Sequence, residues 1–147
     1  MPIRFDPLAP TVLNGDVSIN VLDPDGNPNM VLELNQPWSL EITWFIDGPT
    51  VTSLGGTWEV KAFLESMGPG FENQVGPTLT KNLVSIDASS TLTHLVYKDT
   101  ISVPAGTPPD EAIYRVTTTV TYRNIFNNRM AMAGFTTGPM VQFYSPV

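Results

Sequence analysis

The stretch Trp38-Ser39-Leu40-Glu41-Ile42-Thr43-Trp44-Phe45-Ile46 decides the fold class. Trp38, Leu40, Ile42, Trp44 and Ile46 share one side of an extended chain, while Ser39, Glu41 and Thr43 share the other. A period of two belongs to a strand with one buried face. Thr57 to Glu65 repeats the pattern, with Trp58, Val60, Ala62 and Leu64 opposed to Thr57, Glu59, Lys61 and Glu65. In Ala112 to Arg123, Ala112, Tyr114, Val116, Val120 and Tyr122 face inward with Thr118 among them. The β-branched residues of that run add strand preference.

Further strands are expected at Val17–Leu22, Met30–Leu34, Leu79–Ile86, Thr91–Tyr97 continuing to Val103, and Met140–Tyr144. Turn chemistry separates them, as in Asp23-Pro24-Asp25-Gly26-Asn27-Pro28-Asn29, Asp47-Gly48-Pro49 and Pro104-Ala105-Gly106-Thr107-Pro108-Pro109. No window of comparable length supports an amphipathic helix. About seven to nine antiparallel strands, each with one apolar face, bury those faces as two packed sheets. The expectation is an all-β, antiparallel two-sheet β-sandwich, with a barrel as the alternative. The connections 66–78 and 104–111 read as crossings between sheets. An N-terminal arm, 1–10, precedes a single domain, 11–147.

Asp110-Glu111-Ala112-Ile113-Tyr114-Arg115-Val116 resembles the D-x-A-x-Y-x-C signature of strand F in the immunoglobulin and fibronectin type III superfamily, with Val116 in the cysteine position. The resemblance covers about 40–122 and implies an immunoglobulin-like sandwich. It implies that the Tyr114 hydroxyl bonds back to upstream backbone as a tyrosine corner. It also implies a strand B core position for Ile42 or Trp44, and the place of the strand C tryptophan for Trp58. Both cysteines of the inter-sheet disulfide are absent, so a disulfide-free relative is the better match; Asp25-Gly26-Asn27-Pro28 before an apolar strand and then Pro37-Trp38 also resembles bacterial immunoglobulin-like modules. Such modules serve adhesion, assembly and sugar binding alike, so the resemblance bears on fold more than function.

The 147 residues include no cysteine, which excludes disulfides, cysteine-based metal centres and cysteine nucleophiles. At 41% hydrophobic content the chain can build a core without such staples. Net charge is −7, and the Lys and Arg residues are scattered, so no basic stripe for nucleic acid is present. No apolar run is long enough for a membrane helix, and the N-terminus lacks a signal-peptide core. If Met1 is the native start, the expected compartment is the cytoplasm; a removed leader would allow an extracellular assembly.

Candidate chemistry is sparse. His94 is the only histidine, and no cofactor or catalytic residue is expected. Asp23, Asp25, Asn27 and Asn29 offer oxygen ligands for calcium, but Gly26 does not fit an EF-hand, and turn formation explains the same residues. Phe45 and Phe63 interrupt the polar faces of their strands, as an outward aromatic patch for a partner would, or as rings covered by a loop such as 66–78 would. The segment 124–135 is unusually apolar for a connection, and its Ile125, Phe126, Met130, Met132 and Phe135 are candidate contacts with a partner protein or another copy. It reads either as a hairpin extension or as a strand, with Met140–Tyr144 as an extra edge strand. The expected function is a non-catalytic structural or interaction domain that assembles through its sheet surface and 124–135. The alternative is a carbohydrate-binding module using Trp38, Phe45, Phe63 or Tyr97, with Trp38 partly exposed.

Overall fold

The computed structural model describes residues 3–5, 14–49, 51 and 54–146. Nine strands follow one another: β1 (Ile3–Phe5), β2 (Asn14–Leu22), β3 (Val31–Glu33), β4 (Trp38–Asp47), β5 (Thr57–Ser66), β6 (Glu72–Asn82), β7 (His94–Val103), β8 (Ala112–Arg123) and β9 (Arg129–Tyr144). One layer is β6-β5-β8-β9 and the other is β2-β4-β7, each antiparallel. Short β1 pairs with both β2 and β9, so the hydrogen-bonded path runs unbroken from layer to layer. β3 lies parallel to the end of β9. The fold is the two-sheet β-sandwich that the alternating pattern predicts. Ile3–Phe5, read from sequence as part of an arm, lies within that path.

The strict alternation explains the core. Trp38, Leu40, Ile42, Trp44 and Ile46 from β4 are all buried, as are Trp58, Val60, Ala62 and Leu64 from β5. Trp44 stacks on Tyr97 with ring centroids 5.5 Å apart, and Trp58 meets both rings edge-on. Such ring pairs add about 0.5–1.5 kcal/mol beyond the area they bury. The buried Tyr97 hydroxyl donates to the Leu83 carbonyl at 2.6 Å, and burial pushes its pKa up. Tyr114 is buried too, and its hydroxyl donates to the Asp110 carbonyl at 3.1 Å. That bond is the tyrosine corner, made without its usual cysteine neighbour.

Two elements differ from the sequence expectation. The segment 66–78, read as a crossing between sheets, stays in one sheet: it is a turn followed by most of β6, an edge strand pairing Glu72 to Leu79 along β5. Its composition hides it: Glu72 and Asn73 face water, Gln74 is half-buried, and Pro77 is tolerated because an edge strand has a free side. Gly76, at φ +69°, lies against β7, where an added Cβ would sit 2.3 Å from Ile101 Cγ2. Likewise 129–144 is one continuous strand. Gly138-Pro139 reads as a break, but there β9 bulges against β8, between Thr117↔Thr137 and Arg115↔Met140.

Candidate functional site

Arg123 and Arg129 close the β8–β9 hairpin as a register pair. Between them Asn124 organises a tight turn. Its Oδ1 accepts from the backbone N–H of Phe126 at 2.9 Å and of Asn128 at 3.1 Å. Its own N–H donates to the Asn128 carbonyl, and Asn127 donates to the Asn124 carbonyl. Asn127 adopts φ +62°, a left-handed conformation that asparagine tolerates. With its polar groups engaged inward, the turn presents Ile125 (72% exposed) and Phe126 (77% exposed) to solvent.

The base of the hairpin is tied down. Tyr122 donates its hydroxyl to the Gly55 carbonyl, and Ile125 lies over Gly55. Gly56, at φ +108°, leaves no room for a Cβ, which would fall 2.2 Å from the Arg123 carbonyl oxygen. Glu59 on β5 takes ion pairs from Arg123 at 3.1 Å, Arg129 at 3.2 Å and Lys61 at 3.6 Å. Burial acts to raise the Glu59 pKa. The Arg123 hydrogen bond and the charges of Arg123, Lys61 and Arg129 outweigh it and hold the carboxyl below its ordinary value. The cluster keeps an excess of positive charge beside the apolar tip.

The same end of the sandwich carries the loop joining β6 to β7, where Val84 (81%) and Leu92 (79%) are exposed. A shallow pocket of about 190 Å³ opens there among Val51, Leu54, Leu83, Val84, Ile86 and Leu95. Sequence reading missed this contribution because Leu79–Ile86 alternates well enough to pass for strand. The hairpin pole thus carries exposed apolar side chains at two loop tips, among polar residues that include Asp47 and Asp87.

The opposite pole is acidic. Asp23 and Asp25 lie in the turn after β2, Glu33 ends β3, Glu65 and Glu72 face each other across β5 and β6, and Asp110 and Glu111 precede β8. Arg115, in register with Glu65, is the base among them. A cleft of about 330 Å³ opens at this pole, lined by Asp23, Asp25, Glu33, Val31, Leu32 and Tyr144 among others. Val31 is 49% exposed at its rim. The Tyr144 hydroxyl donates to Glu33 at 3.0 Å, and this bond, burial and the Glu33 charge together raise the tyrosine pKa.

The structure separates residues that the sequence groups together. Phe63 faces outward from β5 between Gln74 and Thr117, and Phe135 shares that outer face next to Thr119. Phe45 faces outward from the other layer, where it packs on His94 with ring centroids 4.9 Å apart. Phe45 and Phe63 thus belong to opposite outer faces and form no common patch. Their strands follow one another in sequence but lie in different sheets. His94 pairs with Asp47 beside Phe45. The Met130 and Met132 side chains lie outside the described residues.

The aromatic platform expected for glycan also comes apart. Trp38 is buried, contrary to the partial exposure expected at a strand start, because its Nε1 donates to the Thr107 carbonyl at 2.7 Å and its ring packs on Phe143. Tyr97 is at the centre of the core. In the Asp23–Asn29 turn, Asp23 Oδ1 accepts from the N–H groups of Asp25 and Asn27 at 3.0 and 2.9 Å, which is turn-forming geometry. Among the described residues, no group of three or more His, Cys, Asp or Glu is placed to hold a metal ion. No helix among them is long and apolar enough to cross a membrane.

Strand order, the tyrosine corner and the buried tryptophans define an immunoglobulin-like β-sandwich. No protein-family model matches the chain, and no curated protein matches it. Among solved structures it is similar to the CARDB domain of the PF1109 protein from Pyrococcus furiosus, crystallised with di-metal ions, at 15% identity and TM-score 0.49 over 92% of this chain and 96% of that one. It is also similar to BcpA, the major pilin subunit of Bacillus cereus, at 13% identity and TM-score 0.41, over 90% of this chain and 40% of that one. A β-glucosidase from Listeria innocua matches at 8% identity and TM-score 0.47, over 90% of this chain and 16% of that one. Likenesses at this level carry no argument, and the fold rests on the strand pairing itself.

Proposed function

We propose that the chain is a non-catalytic interaction domain that docks onto protein through its hairpin pole. One observation carries the reading: the 124–128 turn spends its hydrogen bonds inward and holds Ile125 and Phe126 out in water. Ile125 covers Gly55 with part of its side chain, but most of the pair stays in water, as suits a surface that another protein covers. The loop ends of an immunoglobulin-like sandwich are where variable domains place their binding loops, and the fold suits such use. Arg123 and Arg129 add positive charge at the rim, which orients the approach of an acidic surface.

The test places a photo-crosslinking amino acid at position 126, and a control at Thr119 on the outer sheet face, in the chain expressed in its own cells. Protein adducts at 126 well above those at 119 are expected. Equal or absent adducts at both positions overturn the reading.

A further inference from the structure

We infer that the partner is a second copy: the hairpin tip of one chain docks in the acidic cleft at the opposite pole of the next, so that copies associate head to tail. This rests on the reading of the hairpin as a docking element and adds the identity of what it meets.

The tip and the cleft are opposite in charge, and the cleft has room for the tip's side chains. The tip is a protruding apolar pair, Ile125 and Phe126, between Arg123 and Arg129. The cleft is a depression of about 330 Å³ lined by Val31, the Tyr144 ring, acidic Asp23, Asp25 and Glu33, and polar Asn29 and Gln36. A space of that size lies at the small end of ligand pockets and accepts one or two side chains. Arginines flanking the tip would meet carboxylates at the cleft rim as the apolar atoms seat. Charge also rejects the symmetric arrangements. Tip against tip sets the surplus cations of the Glu59 cluster against their own copies, and cleft against cleft opposes carboxylates. Attraction across one pairing and repulsion across the others is how charge selects a partner. Tip and cleft sit at opposite ends of the sandwich, so a seated copy still offers a free tip or a free cleft. Such an interface is heterologous and extends into a ring or a filament.

The experiment is light scattering on the full chain from about 1 μM to about 1 mM, a range that spans weak to moderate self-affinity. Average mass is expected to rise with concentration. It is expected to fall as salt increases from about 0.01 M to about 1 M, where screening shortens from about 30 Å to about 3 Å. Phe126→Asp removes the tip, and Asp25→Lys reverses the cleft rim; either is expected to weaken association about thirty-fold or more. Val31→Lys is a second cleft variant, and circular dichroism with thermal melts verifies that each variant is folded.

The deciding measurement mixes a tip variant with a cleft variant. Head-to-tail docking predicts that the mixture forms a one-to-one complex that grows no further, because one intact tip and one intact cleft remain. A wild-type chain that stays monomeric throughout overturns the inference, as do cleft variants that associate like wild type. Crosslinks from position 126 to other proteins would then leave the docking reading standing without it.

Discussion

A single hydroxyl pins the corner before β8. Tyr114 is buried, so Tyr114→Phe keeps the ring packing and removes only the bond to the Asp110 carbonyl. The expected cost is about 0.5–1.5 kcal/mol, the usual worth of one such bond, read as a lower urea midpoint with an unchanged slope. Asp23 tests the other residue-scale alternative. If its carboxylate serves the turn, as its bonds to the Asp25 and Asn27 N–H groups suggest, Asp23→Ala loses about 1 kcal/mol. That loss is expected to be equal with and without calcium, measured by thermal melts of both proteins. A calcium-dependent rise in the melting temperature of the wild type alone would restore the ligand reading. At this scale the sequence was informative where the role depends on alternation, as for Trp44 and Trp58. It was silent where the role depends on a distant carbonyl, as for Trp38 and Thr107.

At the scale of elements, the hairpin depends on Glu59, and its dependence carries a pH signature. Folding lowers the Glu59 pKa below its ordinary value of 4.5. A carboxyl lowered in this way contributes stability above the unfolded value, and the contribution is lost as pH falls through the folded one. Glu59→Gln is therefore expected to cost about 0.5–1 kcal/mol near neutral pH, in the range of partly exposed ion pairs. The difference from wild type is expected to vanish in acid below the folded pKa, as urea melts at several pH values would show. A difference that persists in acid would mean that Glu59 acts by packing. The elements themselves were legible in proportion to how cleanly one face is buried. β4, β5 and β8 each bury a full row and stand out as alternation. β6 is an edge strand carrying Pro77, and β9 bulges at Gly138-Pro139. Each breaks the period at the place where its neighbour is irregular.

Taken whole, the molecule divides its apolar residues between two tasks, and only one of them is written as a pattern. Core residues must alternate because a sheet has two faces, so sequence alone places Trp44 and Trp58 inside. The hairpin tip obeys no period, and its apolar composition identifies 124–135 without saying which residues face outward. The acidic cleft was not legible at all, since it joins a turn, a three-residue strand and the end of β9, segments brought together by the parallel β3–β9 pairing. The division can be measured. Trp44 is fully buried and contacts Tyr97 and Trp58, so Trp44→Ala is expected to cost about 3–5 kcal/mol, as large-to-small core changes do. Phe126 is 77% exposed, so Phe126→Asp is expected to alter stability by no more than about 0.5 kcal/mol. Paired urea melts give both numbers under one set of conditions. If Phe126→Asp destabilised the chain as a core change does, the tip would belong to the domain's own packing. Its exposure would then be no evidence of a partner. If stability holds while association is lost, the same side chain is free of the fold and committed to the interface.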